Sequence, residues 1–394
     1  NISMTTDWQN WSGSQQHAAF DLALPDSELA VAELIQRAAA AGRSVRGIGS
    51  AHSFVPFWTD DHLVSLDNMK GLISHDAAAR QVTVWAGTKL HELGEPLWDL
   101  GLAMENMGDI DRQSVAGAIS TGTHGTGASL QNISSQVVGL RLVKADGAIV
   151  DINRSVDPDL LRAAQVSMGT LGVITQVTLQ ALPAYHLHER NWQASVAECA
   201  EAREDLIANN RHWEFFWDPQ TDQCAMKTLN VTEAQSLSLP TPGQDIGRSY
   251  KVIPSAREFK FNEIEFSVPA AAGWDCFLAL RQLMQTDFAD VRWPLEYRTL
   301  KADDMFLSSA SDRDSVTISA HQGANQPYKA FFGAVEGLFR EYDGRPHWGK
   351  IHTQQASQLE ISLPQFNRFR EIRQSMDPQG LFLNPFLKQV FGID

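Results

Sequence analysis

Two glycine-rich segments are the first places where residue types and spacing suggest chemistry. Gly47-Ile48-Gly49-Ser50-Ala51-His52-Ser53-Phe54 follows directly on a strand-like run, so its backbone N–H groups can turn inward as a nest for phosphate oxygens. Taken alone, the same octapeptide is equally an ordinary tight turn with a solvated histidine. It is not the dinucleotide fingerprint GxGxxG: His52 replaces the third glycine and no clear helix start meets a pyrophosphate, which disfavours a nicotinamide Rossmann site. The second segment, residues 114–127 (SVAGAISTGTHGTG), is so dense in small residues that little side-chain core can form there. Such a stretch suits backbone passing close to a bulky polar ligand, with N–H groups and Ser/Thr hydroxyls as donors that need no net positive charge.

A charged set stands apart from these. Glu296 and Arg298 flank Tyr297 in an otherwise apolar run, and strand alternation turns both side chains to one face. His321 ends the run that begins near Val316, and Lys350 closes Pro346-His347-Trp348-Gly349-Lys350. Read blind, Glu296 and Arg298 are either functional charges or a surface ion pair, the commoner fate of such residues.

The elements that must position these groups fall into two halves. A helix is expected over 27–42, with Asp26 or Ser27 as cap, Leu29, Ala32, Leu34, Ile35 and Ala38 as apolar face and Gly42 as stop. Strands follow at 45–48, 63–66 and 82–86, a helix over 89–100 disturbed near Pro96, and a hairpin of 137–143 with 148–152 around Asp146-Gly147. A helix over 157–167 and an alternating strand over 172–182 complete this half, and Pro183 marks the boundary. Beyond it come strands at 213–217, 261–268, 295–300 and 316–320, with helices at 271–283, 328–341 and 364–375. The fold class is α+β in two domains: an extension over 1–14, a first domain over 15–183 and a second over 184–394, whose C-terminal segment packs back on the first.

Composition limits the function. The chain has 394 residues, 32 Lys+Arg against 47 Asp+Glu and a formal charge of -15, with no sustained basic block, which excludes a nucleic-acid groove or polybasic membrane patch. No run approaches the roughly 18 apolar residues of a membrane span. The three cysteines, Cys199, Cys224 and Cys276, are widely spaced and form no CxxC pair, so a reducing cytoplasm is the expected compartment. His91-Glu92 lacks the second histidine of HExxH, and His17, His62 and His75 show no ligand spacing, so no metal is expected.

In order and spacing, GIGSAHSF at 47–54, NMGDID at 106–111 running into the small-residue segment, and SMGTLGVIT at 167–175 resemble the PCMH-type FAD domain of the vanillyl-alcohol-oxidase superfamily. PHWGK at 346–350 and DPQGLFLN at 377–384 resemble its sugar-lactone and alditol oxidase branch, which includes L-gulono-1,4-lactone oxidases and dehydrogenases and D-arabinono-1,4-lactone oxidase. The resemblance covers nearly the whole chain. It implies an FAD flavoprotein whose first domain binds the cofactor and whose second is an α+β substrate (cap) domain.

The resemblance also implies roles. His52 would carry FAD covalently at the 8α-methyl, and a neutral imidazole is nucleophilic enough for that bond. Gly47, Ile48, Gly49, Ser50, Ala51 and Ser53 would surround the pyrophosphate, with Ser114, Gly117, Ala118, Ser120, His124, Gly125, Val173 and His347 along the rest of the cofactor. Glu296, Arg298, His321 and Lys350 would line the substrate face of the flavin together with Asp109. Oxidising an alcohol moves a hydride to the flavin while the hydroxyl proton leaves, which requires a base and cations for developing negative charge. His321 or Lys350 would be that base, Arg298 would stabilise reduced flavin, and Glu296 would orient substrate hydroxyls. Asp109 and Gly323, standing where alditol oxidases carry serine and threonine, favour an aldono-1,4-lactone oxidised at C2 over a polyol. Gly108, small beside the flavin, implies a path for dioxygen, so oxidase rather than dye- or cytochrome-linked dehydrogenase activity is expected. The alternatives are an alditol oxidase, and a non-catalytic carbohydrate-binding module, which would be colourless.

Overall fold

The computed structural model describes residues 3–13, 16–49, 55–255 and 259–394. The first helix, Glu28–Ala40, begins where Ser27 accepts a hydrogen bond from the N–H of Ala30 at 3.1 Å, and it buries Val31, Leu34, Ile35 and Ala38. Leu29, expected on that face, is exposed. The chain then reverses and enters the strand Val45–Ile48, parallel to His62–Ser65 in a sheet that also holds Gln16–Ala23 and Ser3–Gln9. A second, antiparallel sheet orders Leu72–Asp76, Gln81–Trp85, Val173–Gln180, Val137–Val143 and Ile149–Asn153. The helix expected over 89–100 is broken into a 3-10 turn, Leu90–Glu92, and a helix, Gly94–Asp99. Pro96 is not the cause, because in the first turn its missing N–H has no intrahelical partner to lose. The break falls at Leu93, just before Gly94, where a Cβ would lie 2.2 Å from the Tyr250 ring.

The second half is organised by an eight-stranded sheet in the order Gln244–Arg248, His186–Ser195, Gln223–Thr232, His212–Asp218, Leu295–Leu300, Ser315–Gly323, Phe261–Pro269 and Arg345–Pro346. Alternation sorts its central strands into two faces. Phe215, Trp217, Ile264, Phe266, Tyr297 and Ile318 pack with Cys199, Phe277 and Phe339, from the helices Val196–Asn209, Gly273–Asp287 and Lys329–Glu341, into one apolar core. The intervening residues Glu263, Glu265, Glu296, Arg298, Ser319 and His321 turn the other way and are also buried.

That polar face is covered by the first half of the chain. Thr126 Oγ1 donates to Trp213 O at 2.7 Å, and the N–H of Gly127 donates to Thr299 O at 3.0 Å. Gly127 sits at φ +149, and a Cβ there would lie 2.9 Å from Arg211 O, so only glycine admits this approach. The C-terminal helices return to the first core, which includes Phe366, Phe369, Leu387 and Phe391. Val45 N–H donates to Leu381 O at 2.9 Å, and Asn384 Nδ2 donates to the carbonyls of Pro56 and Trp58 at 2.8 Å. No helix among the described residues is long and apolar enough to cross a membrane.

Candidate active site

The end of the Val45–Ile48 strand meets the small-residue segment at a cleft with about 1110 Å³ of empty space. Within that segment lies a short helix, Val115–Ser120, capped by Ser114, whose hydroxyl accepts from Gly117 N–H at 3.1 Å. A Cβ at Gly49 would come 2.6 Å from Ser114 Oγ, so glycine is what lets the strand end approach the helix start. At Gly47 a Cβ would enter open space. Ile48, Ser120 and Val173 also line the cleft, with Gly169 and Gly172 opposite. Its one arginine, Arg46, is occupied structurally: it donates to Phe57 O at 2.8 Å, Phe382 O at 3.0 Å and Met168 O at 2.7 Å, and burial pushes its pKa down to about 10. Narrow backbone approach, N–H groups and hydroxyls fit a dinucleotide pyrophosphate bound without counter-cations. Ser50, Ala51, His52 and Ser53 lie outside the described residues.

Two residues expected at the cofactor do not reach either wall. Ala118 is fully buried in the first core. Gly125 is packed against the preceding loop, where a Cβ would lie 2.3 Å from Met107 O. Small residues serve close packing as well as ligand approach, and sequence does not separate the two uses.

Gln113 and Thr121 line this cleft and also a second cavity with about 560 Å³ of empty space, set against the polar face of the eight-stranded sheet. Gly108, Asp109, His124, Glu296, Arg298, His347 and Lys350 line it. Arg298 is the hub: Nε lies 3.0 Å from Glu296 Oε1, Nη2 3.3 Å from Glu265 Oε1 and Nη1 3.8 Å from Asp109 Oδ2. Burial alone would lower its pKa, but Glu296, Asp109 and Glu265 together hold it above the ordinary value, so it is a fixed cation. Glu265 also accepts from Ser319 Oγ at 2.9 Å and lies 2.6 Å from His124 Nε2. His124 Nδ1 faces Gly125 O at 2.8 Å, so both ring nitrogens face acceptors. Although burial opposes ionisation of Glu265, His124, His347 and Arg298 hold its carboxyl well below the usual range. His347 is the opposite case: burial pushes it down to about 3, and Gly349 N–H donates to its Nδ1 at 3.0 Å, leaving Nε2 as the protonated nitrogen.

Lys350 and His321, the two expected bases, occupy unlike places. Lys350 reaches the cavity and lies 2.6 Å from Glu263 Oε1. His321, expected to line the cavity, is not among the residues that do: it stands beside its cross-strand partner Glu263, with Nδ1 donating to Pro294 O at 2.8 Å and its ring edge-on to Phe261. Glu263 and Glu265 are on the cavity wall and were not foreseen. The signal was present in the alternation Glu263-Ile264-Glu265-Phe266, the same pattern that marked Glu296 and Arg298.

The small-residue cleft, which shares Gln113 and Thr121 with the buried array of cations and carboxylates, and the matches to known proteins together make this a flavin-dependent oxidoreductase. Residues 22–153 match the FAD binding domain model, and residues 177–245 and 242–390 match D-arabinono-1,4-lactone oxidase. The chain belongs to this lactone oxidase and dehydrogenase family. It is 35% identical to L-gulono-1,4-lactone dehydrogenase of Mycobacterium tuberculosis, covering 99% of this chain and 100% of that protein. To L-gulonolactone oxidase of Mus musculus it is 28% identical, with 98% of each chain covered. The fold is also that of cholesterol oxidase from B. sterolicum, at a TM-score of 0.88, 16% identity and coverage of 99% and 97%.

Proposed function

We propose that this enzyme oxidises an aldono-1,4-lactone of the L-gulono type at C2 to the 2-keto lactone, in the cytoplasm, with dioxygen as electron acceptor. Residues 15–183 bind FAD, covalently through His52, and residues 184–394 supply the wall that receives the sugar. The observation that carries the reading is the cavity in which Arg298 and Lys350 stand among carboxylates. When bound, FAD accepts the hydride. The chain's own groups do the rest. Glu296 and Asp109 accept hydrogen bonds from sugar hydroxyls, and Lys350 and Arg298 stabilise negative charge as the hydroxyl proton leaves. The cations are all matched by carboxylates, which favours a neutral lactone over an anionic sugar acid.

Gly108 supports the oxidase assignment. A Cβ there would lie 3.0 Å from Thr123 Cγ2 and 3.4 Å from His124 O, so an added methyl would crowd this part of the wall. The test is aerobic incubation with L-gulono-1,4-lactone, with xylitol in parallel, followed by mass spectrometry and peroxide assay. Equimolar 2-keto lactone and peroxide are expected. Keto lactone formed only with an artificial dye would make it a dehydrogenase, and oxidation of xylitol alone would move the substrate to alditols.

A further inference from the structure

Glu263 stands between the two groups proposed as base. It is paired with His321 across the antiparallel ladder, and its carboxylate is shared: Oε1 lies 2.6 Å from Lys350 Nζ and Oε2 3.6 Å from His321 Nε2. Backbone fixes both neighbours. Ile351 N–H donates to Glu263 O at 3.0 Å, setting Lys350 beside the strand, and Pro294 O holds Nδ1–H of His321. With Nδ1 committed as a donor, Nε2 is the nitrogen that can take up a proton, and it faces Glu263 rather than the cavity.

We propose that Glu263 relays the substrate's hydroxyl proton from the cavity to His321 Nε2, while its other oxygen stays paired with Lys350 Nζ. This rests on the reading of the cavity as a site of alcohol oxidation. The substrate O–H bond breaks and its electron pair becomes the second C–O bond as the C–H hydride departs to the flavin, the oxidant. The proton ends on His321 and the carboxylate of Glu263 is regenerated. Lys350 is thereby the cation for the developing alkoxide and not the base, and His321 acts without touching substrate.

The surrounding charges favour this direction of transfer. Burial would raise the pKa of Glu263, but Lys350 and then His321 hold it well below the carboxylate range, so a proton crosses Glu263 without resting there. Glu296, from the neighbouring strand, has an oxygen within 4.8 Å of a carboxylate oxygen of Glu263 and a ring nitrogen of His321. His347, on the turn before Lys350, is neutral near pH 7, and Glu265, two residues along, is matched by His124 and Arg298. The 3.6 Å gap is of the kind that tightens when substrate binds.

The test combines anaerobic stopped-flow reduction of the flavin by L-gulono-1,4-lactone with long-range ¹H–¹⁵N spectra of the histidine rings, on holoenzyme. In wild type the reduction rate should rise with pH. Glu263→Gln should slow reduction by about 10²–10⁴-fold with lactone affinity little changed, and Glu263→Asp should restore part of the rate. The His321 ring resonances should move in Glu263→Gln because the anionic partner is gone, and His321→Gln should lose the pH-dependent limb. A Glu263→Gln rate within a few-fold of wild type, a limb that persists in His321→Gln, or unmoved His321 resonances would each overturn the relay. If lactone fails to reduce wild-type flavin, the substrate reading falls; the His321 resonances then decide the Glu263–His321 coupling by themselves.

Discussion

Replacing Arg298 by Met removes the cation around which the second cavity is built. Its side chain is 8% exposed, and those of Glu296 and Glu265 are 1% and 2% exposed, so solvent screens little. At an effective dielectric of about 20, contacts at 3.0, 3.3 and 3.8 Å are each worth about 4–6 kcal/mol before desolvation. Desolvation offsets most of that, and removing one member of a buried charge network costs about 3–5 kcal/mol net. Over 394 residues, at roughly 2.1 cal/mol/K each, 1 kcal/mol moves the melting temperature by about 1.2 °C, so Arg298→Met should melt about 4–6 °C lower near pH 8 if the two cores unfold together. The loss should shrink near pH 5. Without Arg298 the orphaned carboxylates take up protons more readily folded than unfolded, so the variant's stability falls as pH rises through their folded-state pKa values. Flavin reduction by lactone should fall about 10²–10³-fold, as for loss of one preorganised charge-stabilising donor. Arg298→Lys should recover stability more than rate, because an ammonium keeps the charge but lacks the fork. Thermal melts at both pH values followed by flavin emission, with stopped-flow reduction, check this. An unchanged melting temperature, or the same loss at both pH values, would refute the charge network.

Three further outcomes are expected. Burial holds His212 and His347 down at about 3 and His352 down at about 4, against about 6.5 unfolded, so the unfolded chain binds more protons below neutrality and stability is lost as pH falls through about 6.5; melting temperatures that stay flat down to about pH 4.5 would contradict this. Gly108→Ala should slow reoxidation by dioxygen while leaving reduction by lactone nearly intact, as Thr123 yields a few tenths of an ångström; oxygen stopped-flow reads the difference. Acid precipitation should leave the yellow colour in the wild-type pellet and release it into the supernatant for His52→Ala, and complete release from wild type would rule out the covalent bond.

Much of this was legible because local pattern and tertiary environment agree. Glu296 and Arg298 alternate with apolar Leu295 and Tyr297, so the Leu295–Leu300 strand and the face bearing its charges could be read together. The helix Val196–Asn209 was not foreseen because it fully buries only Cys199 and shows no apolar stripe. The helix Val115–Ser120 is held by its Ser114 cap within a glycine-rich sequence of low helix propensity. At the site, residue types were legible but ranks were not. Whether an imidazole touches the cavity or stands behind a carboxylate depends on the pairing of Glu263 with His321, a register between strands more than 50 residues apart in the chain.

The most direct test of the central claim is an anaerobic titration of the purified yellow protein with L-gulono-1,4-lactone, read as flavin absorbance. The account predicts bleaching by lactone, none by xylitol, and return of the colour on admitting air. A colourless protein, or a flavin that no sugar lactone reduces, would contradict it.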